Sequence, residues 1–196
     1  LGGESLRFLD YIDPRVGPDD SLFAYTEDVE ELSRRVKAAV LEWDIDVLVG
    51  HGSNGEYGHP AHVLSHQAAQ QALLELGEAA PAFYTAAACF PGHPRPRLAN
   101  QDDEADLVVD VSPALAQKTQ AALCHLSQNA LFVRRPSEEA GRKLTVPEVI
   151  MTLESLHLVR DAGSGKPARE LVEILAPSLV APATLQGECS QEAGQA

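Results

Sequence analysis

Residues 45–76 constrain this chain more than any other stretch. Ile45-Asp46-Val47-Leu48-Val49 is a short, β-branched apolar run bounded by polar residues, which predicts a strand. Residues 51–66 follow it, with four of the seven histidines and glycines 52, 55 and 58. Ala68, Ala69, Ala72, Leu73 and Leu76 then recur at helical spacing. Strand, glycine-rich polar loop, helix is the unit from which open α/β sheets are built. Their ligands bind outside the carboxyl ends of the strands. The loop at 51–66 is therefore the candidate site.

The loop's chemistry is legible from residue types. Its glycines permit tight turning and close approach of a ligand to the backbone. Pro60 suits the first turn of the following helix, where a missing N–H costs little. His59 falls just before that turn and His62 inside it, so both can face one cavity. His62 and His66, four apart, share a helix face. Neutral imidazole is a common zinc ligand, and a catalytic zinc takes three protein ligands with one position open. The competing account is a solvated loop with histidines near a helix start. Spacing alone favours that account, because His59-x-x-His62 lacks the glutamate of the metalloprotease helix motif.

The rest of the chain reads as alternating helices and strands. Thr26 can cap a helix to about Trp43, with Val29, Leu32, Val36, Val40 and Trp43 as its apolar stripe. Residues 82–87 and 106–110 predict further strands. Between Cys89 and Asp106 the prolines and the cluster Asn100-Gln101-Asp102-Asp103-Glu104 predict a long loop, with the carboxylates in a solvated turn. Ser112-Pro113 opens a helix, and Thr145-Val146-Pro147-Glu148 is a capping-box pattern. Residues 149–159 fit either a continuous helix or a short helix followed by a strand at 156–159. Pro167 opens a last short helix, and residues 186–196 read as a disordered tail.

Composition excludes some partners. The 196 residues carry a formal net charge of −14, which disfavours nucleic acid and anionic membrane surfaces. No apolar run approaches the roughly 20 residues of a membrane helix. Cys89, Cys124 and Cys189 are widely spaced and read as thiols, which points to a reducing, cytoplasmic setting.

Asp46-Val47-Leu48-Val49-Gly50-His51-Gly52, with Gly55-Glu56-Tyr57-Gly58-His59-Pro60-Ala61-His62, resembles the second signature of the LmbE-like zinc N-deacetylases. A weaker likeness covers Asp110 to Pro113 and Lys118 to Gln128. The resemblance implies an α/β, Rossmann-like layered fold with a mostly parallel sheet. It implies zinc as cofactor and a small-molecule amino sugar as substrate, from which an N-acetyl group is hydrolysed. It assigns His62 as the metal ligand and Tyr57 and His59 as catalytic residues. Asp13 and Glu56 fall to substrate binding, with a loop aspartate before proline as the competing reading of Asp13. The family's first signature, Ala-His-Pro-Asp-Asp-Glu, is absent, and Ala61 stands where an Asp is usual. The expectation is a deacetylase domain over 1–185 that lacks its N-terminal strands, inactive by itself and able to form a homo-oligomer. The alternative is a non-catalytic family member that binds a glycan or a protein.

Overall fold

The computed structural model describes residues 3–12, 27–164 and 170–181. In chain order the elements are α1 (Val29–Glu42), β1 (Val47–Gly50), α2 (Gly55–Gly58), α3 (Pro60–Leu76), β2 (Ala82–Ala86), β3 (Ala88–Cys89), β4 (Asn100–Glu104), β5 (Leu107–Asp110), α4 (Leu115–Cys124), α5 (Asn129–Glu139), α6 (Val146–Val149), β6 (Leu153–Arg160) and α7 (Glu170–Leu175). The chain divides into two compact units, Phe8–Val109 with Ser155–Ala196, and Leu1–Arg7 with Asp110–Glu154.

The larger unit holds the candidate site. Its strands belong to a four-stranded sheet in the order β1-β2-β6-β5. β1 runs parallel to β2, pairing Val47 with Ala82 and Gly50 with Thr85. β2 runs antiparallel to β6, pairing Tyr84 with Leu158. The α/β, Rossmann-like layering is as expected, and the sheet is mixed. α3 packs on β1 and on α1. Ala69 and Leu73 of α3 meet Ala80 and Phe83 in a buried cluster, flanked by Leu48, Leu76 and Val159. That cluster fixes α3 on the sheet and so fixes where the loop between β1 and α3 stands.

Several local expectations change. The N-cap of α1 is Asp28, which accepts from the Glu30 N–H at 2.8 Å; Thr26 lies outside the described residues. Leu32 and Val40 are buried as the stripe requires, but Trp43 is 43% exposed. The helix stops at Glu42, and Trp43 (φ −98°, ψ 3°) leaves the helical face. The segment after Cys89 is not a structureless loop, because β4 pairs in parallel with β3. Asp103 is buried at 4% exposure rather than solvated. Its carboxylate accepts from the Ser53 N–H at 2.9 Å and from the Thr85 hydroxyl at 3.1 Å. These donors satisfy a charge that burial would otherwise penalise. Residues 149–159 form a short helix and then a strand. Pro167 and the tail at 186–196 lie outside the described residues.

Cys124 is exposed and free, but Cys89 is disulfide-bonded. Disulfides belong to oxidising compartments. The cysteine argument for a reducing setting therefore falls away. No helix among the described residues is long and apolar enough to cross a membrane.

In the smaller unit, α4, α5 and α6 are the helices. Lys118 donates to the Met151 carbonyl at 2.6 Å and pairs with Glu154. His125, at the end of α4, is exposed. At Thr145 the expected capping box is present: the Glu148 carboxylate accepts from the Thr145 N–H at 2.8 Å and from its hydroxyl at 2.7 Å. The Thr145 hydroxyl and N–H, then the Arg142 guanidinium, hold the Glu148 carboxyl down to about 2. A depressed pKa adds stability that is complete above the ordinary value of 4.5 and is lost as pH falls through the folded value. Glu148→Gln should flatten that dependence between pH 4.5 and 2. Thr145→Ala should cost about 1 kcal/mol. Urea midpoints across that range check both.

Candidate metal centre

The site begins where β1 ends. Gly50 closes the strand, and a Cβ there would fall 3.1 Å from Phe83 Cε2. His51 follows at the strand's carboxyl end. Ser53 and Asn54 turn the chain, and their contacts reach β4. The Ser53 hydroxyl donates to Asp103 at 2.5 Å, and the Asp102 N–H donates to Asn54 Oδ1 at 3.0 Å. β4 thus holds the loop from one side. α3 holds it from the other: His66, buried, has Nδ1 at 2.9 Å from the His51 carbonyl oxygen. A carbonyl only accepts, so His66 Nδ1 carries the proton.

The turn α2 bends the loop back. Gly55 (φ 61°) and Gly58 (φ 83°) take conformations that favour glycine. Glu56 takes one as well, at φ 59° and ψ −74°, although it has a side chain. A residue held in so sparse a region costs on the order of 1–3 kcal/mol, and such residues gather at functional sites. His59 then ends the turn, with Pro60 in the first turn of α3.

Among the described residues, His51, Glu56 and His62 offer ligand atoms that all lie within 4.8 Å of one another. His51 Nδ1 stands 3.3 Å from Glu56 Oε2, and His62 Nδ1 contacts the same oxygen. The two imidazoles stack face to face, 3.7 Å apart and 8° from parallel. Burial pushes the Glu56 carboxyl up, but hydrogen bonds from His51, from His62 and from the Gly52 N–H outweigh it. The net effect holds Glu56 well below the usual carboxylate range. The centre is an anion facing two imidazole nitrogens.

This donor set fits a metal ion. Two imidazoles and one carboxylate are a catalytic zinc set with one position left open. Ligands at about 2.0–2.2 Å from zinc in a tetrahedron stand roughly 3.3–3.6 Å apart. The His51–Glu56 separation of 3.3 Å is of that size, whereas His62 and Glu56 are in direct hydrogen-bond contact and would have to part to admit an ion.

The remaining candidates stand around these donors. The His59 ring is 4.2 Å from that of His62 and is 5% exposed. The Tyr57 ring meets His59 edge-on at 5.7 Å and His62 at 5.9 Å, and it is 56% exposed. The fold therefore brings Glu56, Tyr57, His59 and His62 together. Glu56 turns its carboxylate onto the histidines. Asp13 lies outside the described residues. The resemblance assigns His62 alone as a ligand; the structure adds His51 and Glu56 as neighbouring donors. His51 was signalled by its place just past the strand end. Asn100 and Asp103 carried no such signal, since they reach the loop from a distant part of the chain.

No family model matches the chain. A relative from Catenulispora acidiphila, the "1D-myo-inositol 2-acetamido-2-deoxy-alpha-D-glucopyranoside deacetylase 2", is 30% identical over 133 residues, covering 52% of this chain and 44% of the relative. The similarity to a deacetylase agrees loosely with the LmbE-like resemblance. The chain spans less than half the length of that relative.

Proposed function

We propose that this chain carries the metal centre of a zinc-dependent N-deacetylase acting on an acetylated amino sugar. One observation carries the reading: His51, Glu56 and His62 converge at the carboxyl end of a sheet strand. The substrate class rests on the relative, whose name specifies an acetamido sugar joined to inositol. His51, Glu56 and His62 would hold the ion, with Glu56 a ligand rather than a sugar contact. When bound, zinc polarises an amide carbonyl and acidifies water. The exposed Tyr57 hydroxyl donates a hydrogen bond to the amide oxygen as negative charge builds there. His59 keeps a proton for the departing amine nitrogen. Asp13 takes a sugar hydroxyl.

Metal analysis and an acetate assay test this together. After dialysis against micromolar zinc and then buffer, the chain should retain close to one zinc. The absent first signature implies a chain inactive by itself; with His51 and Glu56 completing the donor set, it should instead release acetate from the N-acetylglucosaminyl inositol. Retention without acetate release overturns catalysis by this chain alone and is the result shared by a domain inactive by itself and by the glycan- or protein-binding alternative. A chain that keeps no zinc loses the metal centre altogether.

A further inference from the structure

Asn100 is fully buried at the start of β4 and reaches the loop from 44 residues away. Its Oδ1 accepts from the Glu56 N–H at 2.8 Å. Its Nδ2 lies 3.1 Å from the Ala86 oxygen, 3.3 Å from the Ala87 oxygen and 3.3 Å from Glu56 Oε1. One N–H faces the amide oxygen and three acceptors face the amide nitrogen. Turned over, the group would set oxygen against oxygen three times, so this orientation is the one the chemistry permits.

Both residues that Asn100 braces through the backbone have unusual conformations, with φ 59° at Glu56 and φ 56° at Ala87. Gly52 makes room for it, since a Cβ there would sit 2.1 Å from the carboxamide. The result is a divided carboxylate. Glu56 Oε1 accepts from the Gly52 N–H at 3.2 Å and from Asn100 Nδ2, and Oε2 is turned to His62; His51 Nδ1 stands beside both oxygens, 3.4 Å from Oε1 and 3.3 Å from Oε2. Partners of this kind fix which ligand atom a metal meets, and their loss typically costs 10- to 100-fold in metal affinity.

We propose that Asn100 is a positioning residue of the metal centre: it holds Glu56 in its positive-φ conformation and occupies Oε1, so that Oε2 is presented to the ion. This rests on the metal reading of His51, Glu56 and His62. Zn²⁺ and Co²⁺ affinities of the whole chain, measured by competition with a chromophoric chelator, test it in a cycle with Glu56→Gln. Asn100→Ala should weaken Zn²⁺ binding roughly 10- to 100-fold and alter the visible Co²⁺ spectrum. In the Glu56→Gln background the same change should cost almost nothing further. A folded Asn100→Ala chain with unaltered affinity overturns the inference and leaves the metal centre standing. So does an equal loss in both backgrounds. If the unaltered chain binds neither ion, the metal reading itself fails. Should the variant not fold, the assigned Asn100 carboxamide resonance of the unaltered chain answers instead. It should shift on Zn²⁺ addition, and a resonance that stays in place overturns the proposal.

Discussion

His62→Ala should strip zinc from the chain, while Tyr57→Phe and His59→Ala should keep it and lose turnover. The division follows from what each side chain touches. His62 Nδ1 is on Glu56 Oε2 inside the donor group, whereas Tyr57 and His59 contact the group by their rings. Structural zinc sites with four ligands bind with about 10–16 kcal/mol, so one ligand is worth about 3 kcal/mol, or roughly two orders of magnitude in affinity. His51→Ala should fall in the same class as His62→Ala. Loss of a hydrogen bond to developing negative charge costs roughly 10²- to 10³-fold in kcat, and loss of a general acid roughly 10²- to 10⁴-fold. Those two losses should appear in kcat with KM little changed, because the interactions strengthen only in the transition state. Zinc content by atomic emission and steady-state acetate release separate the classes. If His59→Ala lost the metal and His62→Ala kept it, the assignment of the two histidines would be reversed.

Much of this arrangement was legible in the sequence because it is local. The strand, the glycine loop and the helix are consecutive, so their residue types announce both the turn and the position of His62 within it. Pro60 in the first turn of α3 follows from its missing N–H and needs no knowledge of the sheet. The β4 side of the site was not legible, for a physical reason. Asn100-Gln101-Asp102-Asp103-Glu104 has the composition of a turn, and isolated propensity disfavours a strand there. What makes it a strand is pairing with β3, together with donors from Ser53 and Thr85 that neutralise the burial cost of Asp103. None of those partners is near in sequence. The direction of the Glu56 carboxylate is not legible either, for a related reason. It depends on the positive φ of Glu56 itself, which Asn100 braces. A sequence pattern states which residues a loop contains, but the direction of a carboxylate within it is set by the backbone conformation.

Phe83→Ala should be the most damaging single change to stability, at about 3–5 kcal/mol. Phe83 has 0% exposure and lies between the sheet and α3, against Ala69, Leu73 and Ala80. Its ring is too large for the small residues of that cluster to collapse into the space it leaves. A loss of this size is a large share of the roughly 5–15 kcal/mol that holds an ordinary domain folded. The effect should also reach the metal centre. The Phe83 ring lies 5.7 Å from that of His66, whose Nδ1–H holds the His51 carbonyl. Phe83→Leu keeps most of the volume and should cost much less, which separates packing from any special need for a ring. Urea unfolding in zinc-free buffer measures the first effect. Unfolding with zinc at 100 times its dissociation constant measures the second, since a ligand that binds only the folded chain adds about 2.7 kcal/mol at that ratio. At a fixed zinc concentration Phe83→Ala should recover less than the unaltered chain, because a loosened His66 leaves His51 less well placed. Equal recovery in both chains would show that the core supports the fold without setting the metal affinity.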